Sequence, residues 1–233
     1  TMAAATLNTL DNDSTTVVDA STVTTLTGSA ADINTAYASA GISGLGNEAV
    51  TLTDTSLATS TLTTLDGNTS GTVNASTVTT LTGSAADITS TLGATGITFG
   101  TTVGGTINDV SVSASALNTL DAAAGGTIDA STVKTVTGTG TAALTAFESS
   151  GISGLVFDAS SYIAGYADVM AAFSSDLGAA RVHYFDFGVS EGRSFDAFDE
   201  ASYLASYSDL LAAFGTNTDS ACLLYTSDAA DDR

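Results

Sequence analysis

Short alternating runs punctuate the first two-thirds of the chain. Thr25-Leu26-Thr27 is followed by Thr51-Leu52-Thr53, Thr80-Leu81-Thr82, Thr106-Ile107-Asn108 and Thr135-Val136-Thr137. β-Branched residues around one apolar centre suit a short strand whose centre faces a core and whose flanks face outward. The predicted core positions are Leu26, Leu52, Leu81, Ile107 and Val136. The numbering steps from one triplet to the next are 26, 29, 26 and 29, which predicts parallel stacked turns of those lengths.

Helix-like stretches follow the triplets. Ser29-Ala-Ala-Asp32 precedes Ile33 and Tyr37, and Ser84-Ala-Ala-Asp87 precedes Ile88 and Leu92. A Ser with Asp at the third helical position resembles a capping box, although Glu or Gln is the usual partner. The third version, Thr139-Gly-Thr-Ala142, lacks the carboxylate, so a weaker cap is expected. A second helix type is Leu57-Ala-Thr-Ser-Thr-Leu62-Thr-Thr-Leu65, which Asp66-Gly67 is placed to end.

All of this sits inside a longer repeat. Leu10-Asp11 recurs as Leu65-Asp66 and Leu120-Asp121, and Gly41-Ile42 as Gly96-Ile97 and Gly151-Ile152. Asp19-Ala-Ser-Thr-Val23 recurs as Asn74-Ala-Ser-Thr-Val78 and Asp129-Ala-Ser-Thr-Val133. Every offset is 55, so there are three copies of two turns each. The fold expected for residues 1–155 is α/β, a parallel solenoid with one strand and one short helix per turn. Leucine-rich repeats follow similar stacking logic, but their regular Asn is missing. An all-β solenoid and a loosely ordered Thr/Ser-rich stalk are the competing readings.

At about residue 156 the pattern changes to a small all-α module, expected over residues 156–221. Phe157-Asp-Ala-Ser-Ser-Tyr162 recurs as Phe198-Asp-Glu-Ala-Ser-Tyr203; Tyr166 matches Tyr207, Asp168 matches Asp209, and Phe173 matches Phe214, all at an offset of 41. From Asp176 to Gly188, residues Leu177, Ala180, Tyr184 and Phe187 fall on one helical face. Gly188 and Gly215 are plausible helix stops. The pattern Tyr162-Ile-Ala-Gly-Tyr166-Ala-Asp168, then His183-Tyr184, Gly188 and Glu191-Gly192-Arg193, resembles a repeat of large secreted or surface proteins of cyanobacteria and other bacteria. That resemblance implies a neighbourhood of calcium-binding repeats and no particular catalytic activity. Residues 222–233, Cys222 to Arg233, match neither repeat and resemble the translation of a sequencing-library transposon adapter. Thr1 falls part-way through a repeat, so the chain reads as a segment of a longer tandem-repeat protein.

Composition narrows the function. Hydrophobic residues make up 43% of the chain and charged ones only 12%, which favours packed structure over disorder. Much of the apolar fraction is Ala, and thin apolar faces suit stacked repeats. The formal charge is −21, or −19 without Asp228, Asp231, Asp232 and Arg233 of the tail. Such a surface disfavours nucleic acid and anionic membranes and attracts cations. No apolar run is long enough for a membrane-spanning helix, so no membrane insertion is expected. Without the tail the chain has no cysteine, so no disulfide or thiolate site is expected.

Candidate chemistry is sparse. His183 is the only histidine, and reads as a packing residue rather than part of a triad. Arg193 is expected to pair locally with a carboxylate, and Asp168 and Asp209 to start short helices. Asp11-Asn12-Asp13-Ser14 begins like a calcium loop, but the Gly and Glu of an EF-hand are missing. Gly104-Gly105 and Gly125-Gly126 lack the Lys of a phosphate loop and read as corners needing positive φ. No catalytic residue, metal ligand or cofactor is expected, and calcium alone is held open as a ligand. The candidate binding face is the two Thr columns, Thr25, Thr51, Thr80, Thr106 and Thr135 beside Thr27, Thr53, Thr82, Asn108 and Thr137. The function expected is a structural or adhesive segment of a large extracellular or cell-surface bacterial protein, not an enzyme, meeting surface or matrix components. The alternatives are a ligand- or ice-binding solenoid using the Thr-x-Thr face, and a non-catalytic region of a secreted calcium-dependent enzyme.

Overall fold

A computed structural model describes residues 1–207 together with 210 and 212. Asp209, Phe214, Gly215 and the tail from Cys222 lie outside the described residues.

The 55-residue copies lay down the same elements, except that the third continues into a helix where the others have their last strand. The first copy holds β1 (Met2–Ala3), α1 (Ala4–Asp13), β2 (Val18–Asp19), β3 (Thr25–Gly28), α2 (Ala30–Ala38), β4 (Ile42–Ser43) and β5 (Ala49–Leu52). The second holds β6 (Ser56–Ala58), α3 (Thr59–Asn68), β7 (Val73–Ala75), β8 (Thr80–Gly83), α4 (Ala85–Leu92), β9 (Ile97–Phe99) and β10 (Gly104–Ile107). The third holds β11 (Ser111–Ser113), α5 (Ala114–Ala123), β12 (Ile128–Asp129), β13 (Thr135–Thr137), α6 (Gly140–Glu148) and β14 (Ile152–Ser153). Then come α7 (Ala159–Gly165), α8 (Ala167–Phe173), α9 (Leu177–His183), a π-helical turn at Tyr184–Gly188, and α10 (Glu200–Ser206). The class is α/β, with parallel strands alternating with helices.

The pairing register corrects the expected 26- and 29-residue turns. Leu26 pairs with Val50 rather than Leu52, and Leu81 with Gly105 rather than Ile107. Throughout, the numbers of paired residues differ by 23 or 24: Met2 pairs with Leu26, Val50 with Val73, Val73 with Ile97, and Gly105 with Ile128. The strands form two five-stranded sheets, β1-β3-β5-β7-β9 and β14-β12-β10-β8-β6, and two pairs, β2-β4 and β11-β13. A 55-residue repeat is therefore two 24-residue steps with a remainder of seven. That remainder puts the three equivalent Thr-apolar-Thr strands, β3, β8 and β13, into three different sheets.

The expected core holds. Leu26, Leu52, Leu81, Ile107 and Val136 are all fully or almost fully buried. The helices start as the sequence indicates. Ser29 Oγ accepts from Asp32 N–H and donates to Asp32 Oδ2 at 2.7 Å; Ser84 and Asp87 repeat the arrangement. Thr139 accepts from Ala142 N–H at 3.3 Å without the reciprocal contact. A further carboxylate reaches the first two of these helix starts, Asp54 to Ala30 N–H and Asp109 to Ala85 N–H. It adds negative charge where the helix dipole favours it. Two expectations change. Helix α3 runs through Asp66-Gly67 to Asn68. Gly104, Gly105, Gly125 and Gly126 have no positive φ; positive values fall at Gly28, Gly44, Gly46, Gly138, Gly154 and Gly192. What Gly104 and Gly125 supply is space, since a Cβ would run into the carbonyls of Thr127 and Thr101.

Contacts divide the chain into two compact units. One comprises residues 1–109, 119–130 and 150–153 and contains both five-stranded sheets. The other comprises residues 110–118, 131–149 and the chain from 154 onward. The sequence boundary near residue 156 falls inside this second unit, where α7–α10 join β11, β13 and α6. The stretch read as one helix from Asp176 is α9 followed by the π-turn, in which Val189 N–H reaches Tyr184 O. The extra residue rotates the following positions. Ala180 and Tyr184 stay buried, but Phe187 is exposed and Gly188 and Val189 take the inner face.

Candidate functional site

The Thr columns do not assemble as one lattice. Thr25 lies opposite Ala49 and Thr27 opposite Thr51; Thr80 lies opposite Gly104 and Thr82 opposite Thr106; Thr135 and Thr137 lie opposite Ser111 and Ser113. Thr53 and Asn108 sit past the ends of their strands, donating backbone N–H to Gly28 O and Gly83 O. Only two Thr–Thr neighbours result, in separate sheets. Most of these Thr side chains are half-buried, and several hydroxyls in the stack turn back toward the preceding strand layer. Thr27 Oγ1 donates to Met2 O at 3.4 Å, Thr82 Oγ1 to Leu57 O at 3.5 Å, Thr77 Oγ1 to Leu52 O at 3.1 Å, and Ser153 Oγ to Ile128 O at 3.2 Å. Each link spans 25 residues of sequence. These hydroxyls therefore tie strand segments to segments one pairing step earlier, a use that the alternation pattern alone does not reveal. Pairs of this size are too small to order a water lattice, so the full chain is expected to give no thermal hysteresis beyond a Thr80→Lys/Thr82→Lys control. A measurable freezing-point gap lost in that control would restore the Thr face as a site.

The groove that the fold does repeat lies along its helices. About 520 Å³ is lined by Thr59, Thr63, Asp66, Asp87, Ser90 and Ala94, among others. A second groove of about 390 Å³ is lined by Asn8, Asp11, Thr35 and Ser39 with Asn12 and Ala38. Asp11 and Asp66, Thr35 and Ser90, and Ser39 and Ala94 are repeat equivalents. The Asp at the groove floor joins the two most regular sequence motifs. Asp11 Oδ2 accepts from Ser39 Oγ at 2.5 Å, and its carboxylate fills the space a Cβ on Gly41 would need; Asp66 fills the same space at Gly96. Leu-Asp and Gly-Ile are thus two halves of one contact. Asp11-Asn12-Asp13 closes helix α1 rather than forming a calcium loop. Among the described residues no group of three or more His, Cys, Asp or Glu is placed to hold a metal ion.

Buried polar groups in the repeats also read as structural. Glu48 is buried, and its Oε2 accepts from Tyr37 Oη at 3.0 Å, Gly46 N–H at 2.8 Å and Asn47 N–H at 3.2 Å. Burial, more than the neighbouring carboxylate, pushes the Tyr37 hydroxyl up to about 12. The second copy replaces the pair with Leu92 and Val103, so one position accepts either a hydrogen-bonded or an apolar filling.

In the second unit, His183 Nδ1 meets Tyr162 Oη at 2.9 Å, and its ring centroid lies 5.2 Å from that of Phe173 and 5.6 Å from that of Phe187. Asp176, near it in sequence, instead caps α9 through Ala179 N–H. Arg193 forks onto Asp168 at 2.9 and 2.7 Å, bonds Glu191, and lies 4.9 Å over the Tyr166 ring. Hydrogen bonding to Arg193 holds the Asp168 carboxyl down at about 2. A depressed carboxylate contributes stability above its unfolded value near 3.8, and that contribution is lost as pH falls toward 2. Asp168→Asn should therefore destabilise the α7–α9 module at pH 7 and flatten its melting profile between pH 4 and 2 relative to the unmodified chain. Parallel profiles for the two proteins would remove Asp168 from the acid response.

The same unit holds the contacts that sequence reading missed. Phe147 makes edge-on contacts with Tyr184, Phe185 and Phe195 at 6.2, 5.4 and 5.2 Å between centroids. Lys134 pairs with Asp196, and Phe195 N–H donates to Lys134 O at 3.1 Å beside an antiparallel bridge between Thr135 and Ser194. The Phe185 carbonyl occupies the space a Cβ on Gly140 would fill. Lys134, Gly140 and Phe147 replace Thr24, Ala30 and Tyr37 of the first copy and Thr79, Ala85 and Leu92 of the second. The third copy's departures from the repeat were the readable signal: they fall where the helical module packs.

Compared with protein-family models, curated proteins and solved structures, the chain matches none.

Proposed function

We propose that the chain is a non-catalytic structural segment of a large extracellular or cell-surface bacterial protein, built as a three-sided α/β solenoid. The strand register carries this reading: each sheet gains its next parallel strand at a numbering step of 23 or 24. A 24-residue turn with three sides allots about a third of its length to each side, and the remainder of seven moves every copy's helix pair round by one side. Three copies then bring the pattern back to where it began. Stapling hydroxyls, caps from neighbouring turns and space-making glycines all serve the stack. The helical module is keyed to the third copy's own strand β13 and helix α6. An acidic, hydroxyl-rich surface of charge −21 suits contact with surface or matrix components and loose cation binding, and disfavours nucleic acid. Among the described residues no helix is long and apolar enough to cross a membrane.

The test is length. Strand layers lie about 4.8 Å apart, so inserting one more 55-residue copy between the second and third should lengthen the stack by about 11 Å. Small-angle scattering should show a longer maximum dimension at constant cross-section. Growth in cross-section instead, as for an added globular domain, would overturn the structural reading.

A further inference from the structure

We infer that the face of the first copy carrying Leu10, Val18 and Val23 is a docking surface for a further copy of the same 55-residue repeat, joined ahead of Thr1 in one polypeptide. The three copies act as each other's controls. Leu10 is 46% exposed, whereas its equivalents Leu65 and Leu120 are completely buried. Val18 is half-buried, whereas Val73 and Ile128 are completely buried; Val23 is half-buried, whereas Val78 and Val133 are buried. The first copy is not simply looser. Leu7, Leu62 and Leu117 are equally inaccessible, and so are Ala20, Ala75 and Ala130 within 2%.

Strand pairing identifies what covers the equivalents. β7 has two neighbours, β5 before it and β9 after it, and β12 likewise lies between β10 and β14. Among the described residues β2, the same strand in the first copy, pairs only with β4. The neighbour it lacks is the strand that is β5 to β7 and β10 to β12. In the later copies that strand donates backbone N–H groups across, Val50 to Thr72 O at 2.9 Å and Gly105 to Thr127 O at 3.2 Å. The corresponding acceptor in the first copy is the Val17 carbonyl. The occupant is therefore specified: a short parallel strand of the β5 or β10 kind, with the rest of its turn covering Leu10 and Val23. Backbone pairing along an edge strand supplies the attraction and the apolar row sets the register. A covalently joined copy presents that strand in the parallel direction and at the 24-residue spacing that the sheets of the chain already use.

The proposal rests on the stacked reading of the repeats, and one experiment separates the two. Residues 56–110 are repeated directly ahead of Thr1 of the full chain, and backbone hydrogen exchange is followed in α1, β2, α3 and β7. Docking predicts that α1 and β2 slow by at least tenfold, approaching α3 and β7. Leu10→Asp should reverse that gain in the extended chain, yet shift the melting of the unextended chain only slightly. Unchanged exchange in α1 and β2 beside protected α3 and β7 would overturn the docking surface alone. A dimer of the unextended chain broken by Leu10→Asp would also overturn it, by making a second chain the occupant. If α3 and β7 exchange as fast as α1 in the unextended chain, and Leu65→Asp is harmless there, the stacked reading itself fails.

Discussion

Gly140→Ala loosens the helical module in the second unit, although it restores the residue that the first two copies carry at that position. Ala30 and Ala85 begin their helices under a carboxylate from the following turn, Asp54 or Asp109. At Gly140 the Phe185 carbonyl comes down where a Cβ would stand. Phe185 lies in the π-turn, held by Phe147 on one side and by Arg181, 5.0 Å over its ring, on another. Backbone on both sides of the contact leaves no flexible side chain to give way, so the added methyl should cost about 2–3 kcal/mol, as overpacking does. Ala85→Gly is the control and should cost about 1–2 kcal/mol, the helix-propensity difference plus the burial of one methyl. The readout is hydrogen exchange or limited proteolysis across α7–α9, with the first unit unchanged. Equal protection in Gly140→Ala and the unmodified chain would show that the third copy and the module are not keyed together there.

Much of the fold was legible, and the part that was not has a definite cause. Self-similarity reports the 55-residue offset because equivalent residues do equivalent jobs. It is silent on the 24-residue pairing step because residues paired across neighbouring strands need not be alike: Leu81 lies beside Gly105, and Gly28 beside Leu52. Resemblance between Thr25-Leu26-Thr27 and Thr51-Leu52-Thr53 points to a register two positions away from the real one. Strand side chains alternate with a period of two, so such a slip leaves every side chain on its expected face. This is why the core positions were right while the turn length and the Thr columns were wrong. The one-strand, one-helix turn failed for a related reason. Two-residue strands such as Val18–Asp19 and Ile42–Ser43 are too short to announce themselves by alternation.

In the helical module the local jobs were legible and the phase was not. Asp168 lies in the first turn of α8 and Arg193 bonds the nearby Glu191, both as the sequence suggests; the fork of Arg193 onto Asp168, 25 residues away, is not read from it. Asp158, Asp176 and Asp199 cap helices through nearby backbone N–H groups, a short-range job of the same kind. The π-turn depends on packing of Tyr184 against Phe147, Phe157 and Phe195, which no local pattern encodes. Gly188 makes room there: a Cβ would stand 2.7 Å from Tyr162 Oη and 2.9 Å from the Tyr184 ring. The Thr hydroxyls were misread in part because a hydroxyl on an alternating strand has two uses, facing solvent or reaching a carbonyl of the preceding strand layer. The fold takes the second at Thr27, Thr77 and Thr82.

Leu81→Asp is expected to collapse the first unit, while Thr80→Asp at the adjacent position leaves it folded. Leu81 is completely buried at the middle of β8, a strand with neighbours on both sides, β6 and β10. Removing the leucine forfeits about 2–5 kcal/mol of packing, and the incoming carboxyl must also be desolvated without a partner. Against a total stability of about 5–15 kcal/mol, that loss is enough to unfold the sheet that β8 joins. Thr80 is half-buried and its side chain lies on the other face of the strand, so an aspartate there reaches water at a cost of about 1 kcal/mol or less. The pairing register is untouched by either change, which isolates the facing of the side chain as the variable. Circular dichroism melts should put Leu81→Asp roughly 10 °C or more below Thr80→Asp, at about 2–4 °C per kcal/mol for a chain of this size. Equal melting temperatures would mean that position 81 is not enclosed, and the equivalent buried centres Leu26, Leu81 and Val136 would each lose their role as the core residue of their own sheet.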